Sequence, residues 1–247
     1  MATVILARHG RTTANASGVL AGRSKGIHLD AQGLAQSRTA GERMMQLQLA
    51  AIVTSPLERC RETAREINKL QPEPLKVAVE KGLTECDYGS WTGQELKVLA
   101  KEPMWKTVQA HPSAATFPDG ESMAQMSARS VEAVRRWDAL VEAEHGAEAV
   151  WLAVAHGDII KAVLADALGI HLDAFQRIVA DPASLSVIRY TPLRPFVVTM
   201  NSTAGDLAHL KPPAPPAKGR RRSKKLSSDA AVGGGSGAAT AAAGEAG

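Results

Sequence analysis

Short apolar runs alternate along the chain with longer stretches in which apolar residues recur at helical spacing. Runs rich in apolar and β-branched residues predict six strands, at residues 3–7, 51–54, 75–79, 150–155, 185–190 and 196–200. Strands that alternate with helices favour an α/β fold. We therefore predict a three-layer α/β/α arrangement in which a mainly parallel central sheet carries helices on both faces.

Helix-start signals lie between these runs. Asp30 is placed to cap a helix that continues to about residue 47. Ser55, Pro56 and Glu58 predict a second helix, in which Ser55 is the cap, Pro56 takes the first helical position and Glu58 completes a capping box.

Two more helices follow from the same reasoning. Ser122 and Gln125 form a capping-box pattern that opens a helix to about residue 144. An apolar stripe after Gly157 predicts a last helix that packs on the sheet.

The composition changes after residue 210. Residues 211–247 contain seven Lys and Arg against two acidic residues, whereas the whole chain has a net charge of only +4. This Pro-, Gly- and Ala-rich segment has too little apolar surface to offset its chain entropy. We therefore predict one folded domain over residues 1–210 and a disordered basic tail over 211–247. The tail lacks aromatic residues on which bases could stack, so nucleic-acid binding is not favoured.

Other functional classes are disfavoured by simple counts. No apolar run approaches the roughly 18 residues that a membrane span needs, and no basic segment precedes the first strand. Two cysteines cannot form a zinc quartet. We expect a cytoplasmic protein with no membrane partner.

Three predicted strand ends or early helix turns carry a cationic side chain or an imidazole. Arg8 and His9 end the first strand, Arg59 lies in the first turns of the helix after the second, and His156 ends the run at 150–155. Ligands of open α/β sheets bind at the carboxyl ends of strands. Phosphoryl transfer depends mostly on positioning and charge stabilisation, so these residues predict a phosphate site.

The surrounding loops add further candidates. Gly10 would let the backbone approach a ligand, and Thr12 and Asn15 either contact phosphate or cap the loop. Glu85 could protonate a departing alkoxide, since phosphate oxygens nearby would raise the pKa of its carboxyl group. Glu80, Asp87 and Glu121 are alternative acids in the same region.

These motifs, in this order, resemble the histidine phosphatase superfamily, which includes the cofactor-dependent phosphoglycerate mutases. The resemblance covers about residues 3–200 and is carried by Arg8-His9-Gly10, Ser55-Pro56-Leu57-Glu58-Arg59, Glu85-x-x-Tyr88-Gly89-x-Trp91, Gly120-Glu121-Ser122 and Ala155-His156-Gly157.

The resemblance implies a role for each matched residue. His9 would be phosphorylated, Glu85 would be the proton donor, and the phosphate pocket would contain Arg8, Arg59 and His156. Further substrate contacts are expected from Thr12, Asn15, Arg23 and Gly157. The resemblance also suggests a homodimer and implies no metal or organic cofactor.

Two activities fit this pattern. We expect a histidine acid phosphatase-type enzyme that hydrolyses small phosphate monoesters, with a phosphoglycerate mutase-like phosphomutase as the alternative. The segment between Trp91 and Ser122 contains no arginine, whereas true mutases of this kind carry paired arginines there. Arg11 stands where many members carry Glu. A non-catalytic binding module is disfavoured because His9 and Glu85 are both present.

Overall fold

The computed structural model describes residues 2–203, so the tail expected at 211–247 lies outside the described residues. Six strands form one sheet: β1 (Thr3–Arg8), β2 (Leu49–Thr54), β3 (Val77–Val79), β4 (Val150–Ala155), β5 (Leu185–Arg189) and β6 (Phe196–Ser202). Their order across the sheet is β3-β2-β4-β1-β5-β6. The first four in this order are parallel, and β5 and β6 continue the sheet antiparallel.

Helices connect these strands and cover the sheet: α1 (Thr13–Ser17), α2 (Ala31–Glu42), α3 (Glu58–Asn68), α4 (Leu96–Leu99), α5 (Pro103–Ala110), α6 (Met123–His145) and α7 (Gly157–Leu168). Short 3-10 segments add Lys81–Leu83, Gly89–Trp91, Pro112–Ala114 and Leu172–Arg177. Within residues 2–203, the structure contains no helix that is both long and apolar enough to cross a membrane.

Two apolar cores flank the sheet because successive side chains of a strand point to opposite faces. Leu152 of β4 packs in one core with Ala64 and Ile67 of α3. Its neighbour Trp151 packs in the other core, which contains Val134 of α6 and residues of α7. Helices therefore cover both faces, which confirms the predicted three-layer α/β/α fold with a mainly parallel sheet.

The predicted start of α3 was wrong. The residue that precedes the helix is Leu57, which has no side-chain capping bond, and Glu58 is the first helical residue. The Ser55 hydroxyl lies 2.8 Å from His156 Nε2 and accepts only a long bond, 3.4 Å, from the Leu57 N–H. Its shorter contact is therefore with a residue distant in sequence rather than with the start of the helix.

Two boundaries also differ from prediction. The helix after Asp30 ends at Glu42 rather than near residue 47, and turns of hydrogen-bonded backbone then lead into β2. The third strand starts at Val77 rather than at Leu75, because the backbone N–H and carbonyl of Leu75 are both bonded to the side-chain amide of Asn68.

The order of the strands brings the two histidine motifs together. β1 and β4 are adjacent and parallel, with Arg8 in register with Ala155. The residues that follow, His9 and His156, therefore leave the sheet side by side at its carboxyl edge, where α/β proteins bind ligands.

Candidate active site

His9 is held in one orientation at the end of β1. Its side chain is buried, and its Nδ1 lies 2.8 Å from the carbonyl oxygen of Gly10. A carbonyl can only accept, so Nδ1 carries the proton and Nε2 carries the lone pair. Arg59 Nε donates to that Nε2 at 3.3 Å. The lone pair of His9 Nε2 thus accepts from the Arg59 guanidinium.

His9 is kept in its neutral form by its surroundings. Burial lowers the pKa of the imidazole well below its usual range, and the charges of Arg59 and Arg8 act in the same direction. A neutral imidazole, which keeps a lone pair on one ring nitrogen, is the form that can attack an electrophile.

His156 lies beside His9 and is fixed by Ser55. The two rings have centroids 5.3 Å apart in an edge-on arrangement. His156 is fully buried, and its Nε2 is 2.8 Å from the Ser55 hydroxyl oxygen. Burial, followed by the charge of Arg59, lowers the pKa of His156 well below its usual range. It is the N-cap residue of α7, so the first N–H groups of that helix, which have no partner within the helix, lie next to His156.

Two buried guanidinium groups supply the positive charge. Arg8 donates from Nη1 to the carbonyl oxygen of Ala180 at 2.8 Å. Arg59 donates from Nη2 to the carbonyl oxygen of Gly22 at 2.7 Å. Among residues 2–203, Arg59 Nη1 is buried without a hydrogen-bond partner. An unsatisfied buried donor next to a second arginine is suited to an anionic ligand.

Glu85 faces this cluster from the loop after β3. Its side chain is buried, with one oxygen accepting from the backbone N–H of Cys86 at 2.9 Å and the other 3.9 Å from His156 Nδ1. Burial, with the nearby charge of Asp158, raises the pKa of the Glu85 carboxyl to about 7, although Arg59 opposes this. The expected rise in pKa is thus already present without a phosphate group.

The Glu85 loop is clamped from outside by two arginines. Arg23 donates to the backbone carbonyl of Glu85 at 2.9 Å and also binds the carboxylates of Asp87 and Glu121. Arg129, which the sequence did not single out, donates to the same carbonyl at 3.1 Å. The alternative acids Asp87 and Glu121 are therefore paired with arginine, and two of the three donor nitrogens of Arg23 bind the Glu85 loop.

Glu80, the remaining alternative acid, lies apart from the cluster of Arg8, His9, Arg59 and His156. Its carboxylate caps the Lys81–Leu83 turn and accepts from Trp137 and Arg136. These bonds lower the pKa of Glu80 even though burial opposes them. The structure therefore brings Glu85, and not Glu80, together with the histidines.

Thr12 and Asn15 bind each other at the start of α1. Asn15 Oδ1 accepts from the backbone N–H and the hydroxyl of Thr12, and the Thr12 hydroxyl accepts from the Asn15 N–H. These bonds form a capping box. Of the two alternatives, the loop-capping contact is present, and contact with a substrate stays a prediction.

Gly10 is also required by close packing within the protein. A Cβ atom at Gly10 would lie 2.4 Å from the carbonyl oxygen of Gly33, and one at Gly33 would lie 2.0 Å from the Arg11 oxygen. The missing side chain therefore permits close packing against α2, and close approach to a ligand stays a prediction. The Gly10 N–H also donates to Thr63 on α3, which fixes the loop after His9.

A buried polar network behind Glu85 was missed by the sequence reasoning. The Tyr88 hydroxyl donates to Asp158 Oδ2 at 2.7 Å, and Lys161 Nζ lies 3.3 Å from Asp158 Oδ1. All three side chains are buried. Only the positions of Asp158 and Lys161, one helical turn apart on α7, could have signalled their pairing.

Together these neighbouring groups offer three chemical functions. They supply a neutral imidazole with a directed lone pair, a pair of buried guanidinium groups and a carboxyl group that is partly protonated near neutral pH. This set is suited to phosphoryl transfer, in which positioning and charge stabilisation dominate.

Comparison with known proteins places the chain in a family. The family model of the histidine phosphatase superfamily (branch 1) matches residues 4–203. A probable phosphoglycerate mutase, GpmB, from Yersinia enterocolitica is 31% identical over 218 residues, covering 87% of this chain and 97% of that protein. Phosphoserine phosphatase 1 from Hydrogenobacter thermophilus is 29% identical, covering 82% of this chain and 93% of that protein.

Solved structures share the fold. Bacillus stearothermophilus YhfR is 24% identical with a TM-score of 0.73, covering 83% of this chain and 98% of that chain. A phosphoserine phosphatase from Entamoeba histolytica in complex with 3-phosphoglyceric acid is 22% identical with a TM-score of 0.70, covering 82% of this chain and 98% of that chain. The match over residues 4–203 confirms the family predicted from the motifs: this chain is an enzyme of the histidine phosphatase superfamily.

Proposed function

We propose that this enzyme is a phosphatase that hydrolyses small phosphate monoesters through a phosphohistidine on His9. The observation that carries the proposal is the orientation of His9, because Nδ1 is fixed on the Gly10 carbonyl while Nε2 faces Arg59. Nε2 is then the nucleophile. The attack forms an N–P bond as the ester P–O bond breaks.

The phosphoryl group is held by the residues around His9. Arg59 Nη1 is a buried donor with no hydrogen-bond partner in the described part of the chain, and a phosphate oxygen would satisfy it. Arg8 adds charge from the same side. His156 and the N–H of Gly157, at the start of α7, complete the cradle because a helix N-terminus attracts anions.

Glu85 is the proposed acid and base. In the first step its carboxylic acid gives a proton to the departing alkoxide, which is a poor leaving group without one. In the second step the carboxylate takes a proton from water as the water attacks phosphorus, and neutral His9 is released with inorganic phosphate. A pKa of about 7 suits both steps near neutral pH. This value supports activity on the acidic side of neutrality.

Hydrolysis is favoured over mutase activity by the absence of arginine from one segment. Between Trp91 and Ser122 the sequence has no arginine to grip a second anionic group of the substrate. Arg23 is occupied by Asp87, Glu121 and the loop carbonyl. Arg11 is paired with Asp30 at 2.7 Å. The named relatives include both mutases and phosphatases. Substrate contacts at Thr12, Asn15 and Arg23, and a homodimer, stay predictions.

Phosphate release tests this function. Wild type and His9→Ala are compared on p-nitrophenyl phosphate and a panel of sugar phosphates, without added metal. Release by wild type alone is expected. Release by His9→Ala at the wild-type rate would contradict the proposal, and interconversion of phosphate positions without release would favour the mutase.

A further inference from the structure

The polar network behind Glu85 connects the proton-donor loop to the helix that carries the phosphate cradle. Tyr88 lies three residues after Glu85, and Asp158 lies two residues after His156. The Tyr88 hydroxyl donates to Asp158 Oδ2 at 2.7 Å, so this single bond joins the two segments. Tyr88 cannot swing away easily because its ring packs edge-on against Phe117 with centroids 5.0 Å apart.

Asp158 is itself fixed from the other side. Lys161 Nζ lies 3.3 Å from Asp158 Oδ1, binds Gln176 and sits 4.4 Å from the centre of the Phe175 ring. Only 2% of the Lys161 surface is exposed. Burying a lysine and an aspartate is costly unless each is paired, so a purely structural role could be filled more stably by apolar side chains.

We propose that Asp158 is a positioning residue for the proton donor, holding the Glu85 loop through Tyr88 at a fixed distance from the phosphate cradle. The proposal depends on the role assigned to Glu85 in the proposed function. Two anchors then fix the loop from opposite sides. Arg23 and Arg129 donate hydrogen bonds to the backbone carbonyl of Glu85, and Asp158 accepts a hydrogen bond from the Tyr88 hydroxyl.

Asp158 also acts on the Glu85 carboxyl by its charge. After burial, the negative charge of Asp158 contributes most to the raised pKa of Glu85. Charged and titratable groups around Glu85 come from several elements: Arg8 of β1, Arg59 and Cys60 of α3, Arg129 of α6, His156, Asp158 and Lys161 at α7, Arg23, and Cys86 and Tyr88 of its own loop. Asp158 therefore contributes both to the position of the Glu85 loop and to the raised pKa of the Glu85 carboxyl.

Two substitutions distinguish a positioning role of Asp158 from a general contribution to the stability of the fold. Tyr88→Phe removes only the hydroxyl, and Asp158→Asn keeps an acceptor but removes the charge. Tyr190→Phe is the matched control for the first, because Tyr190 is buried and its hydroxyl has no hydrogen-bond partner in the described chain. Asp138→Asn is the control for the second, because Asp138 is buried and bonded to Trp151 and the Ala2 N–H.

The rates on two esters give the first readout. An alkyl phosphate needs a proton on its leaving oxygen, whereas p-nitrophenolate leaves readily without one. We expect both test variants to lower kcat on the alkyl ester by about 10-fold or more, and on p-nitrophenyl phosphate by less than about 3-fold, with little change in KM. Both controls should leave the ratio of the two rates unchanged. Equal losses on both esters, or the same change in the controls, would overturn the proposal.

A carbon-13 titration of the Glu85 carboxyl gives the second readout, with the signal assigned by its loss in Glu85→Gln. Asp158→Asn should shift the midpoint to lower pH, and an unshifted midpoint would overturn the proposal. This readout needs no turnover. A wild type that hydrolyses neither ester would contradict the proposed function, while the titration would still decide whether Asp158 acts on Glu85.

Discussion

The imidazole rings of His9 and His156 lie 5.3 Å apart because Arg8 and Ala155, the residues before them, are in register on adjacent parallel strands. The pair is held by one partner on each side. The Gly10 carbonyl fixes His9, and the Ser55 hydroxyl contacts His156. The relative orientation of the two rings is therefore a property of the sheet edge, on which the phosphate cradle depends.

Removing the Ser55 hydroxyl should loosen His156. We expect Ser55→Ala to lower kcat/KM by about fivefold to tenfold, because one buried hydrogen bond of about 1 kcal/mol is lost. Ser130→Ala is a matched control, since Ser130 is buried on α6 and bonds only locally to the carbonyl of Ser127. Steady-state kinetics check this, and an equal loss in the control would show that the effect is general destabilisation.

The rate should fall as pH rises through about 7. Glu85 has a pKa raised to about 7 by burial and by Asp158, and the first step needs its protonated form. We expect Glu85→Gln to be slower by roughly 100-fold on an alkyl phosphate, and to lose this alkaline limb. A pH–rate profile of kcat/KM measures both effects. A variant with the wild-type profile would remove Glu85 from the mechanism.

Arg59 should not be replaceable by lysine. Its Nε donates to His9 and its Nη2 to the Gly22 carbonyl, which leaves Nη1 for the substrate. Lysine has no planar fork, so Arg59→Lys should lower kcat/KM by roughly 100-fold. Arg61→Lys, an exposed position on the same helix, should change it little. Retention of activity in Arg59→Lys would contradict the assigned role.

Glu85 should also make stability depend on pH. Because its folded pKa is raised to about 7 above an unfolded value of about 4.3, its contribution is fully present below the unfolded value and is lost as pH rises through the folded one. We therefore expect Glu85→Gln to gain stability relative to wild type on going from about pH 5 to about pH 8. Urea unfolding at both pH values measures this, with the exposed Glu144→Gln as a control. An unchanged difference would contradict the raised pKa.

The parts of the site that were predictable from sequence are those fixed by local pattern. Arg8, His9 and His156 follow apolar runs that form strands, and parallel strands end at one edge. Arg59 and Glu85 were found by motif. In the structure, Arg59 lies on the helix and Glu85 in the loop to which these motifs had been assigned.

The rest depends on residues distant in sequence. The Tyr88–Asp158 bond joins positions 70 residues apart, and the Arg129–Glu85 bond joins positions 44 apart. Local spacing carries no signal for such pairs. Ser55 shows the converse case, since its sequence pattern is that of a helix cap but its shorter hydroxyl contact is with His156, 101 residues away.

The central claim is tested most directly by trapping the intermediate. Wild type is mixed with a phosphate ester and quenched in alkali, in which phosphohistidine survives, and the phosphorylated peptide is identified by mass spectrometry. We expect one phosphoryl group on His9 in wild type and none in His9→Ala. A phosphoryl group on His156 instead, or turnover of the ester with no phosphorylated peptide, would contradict the account.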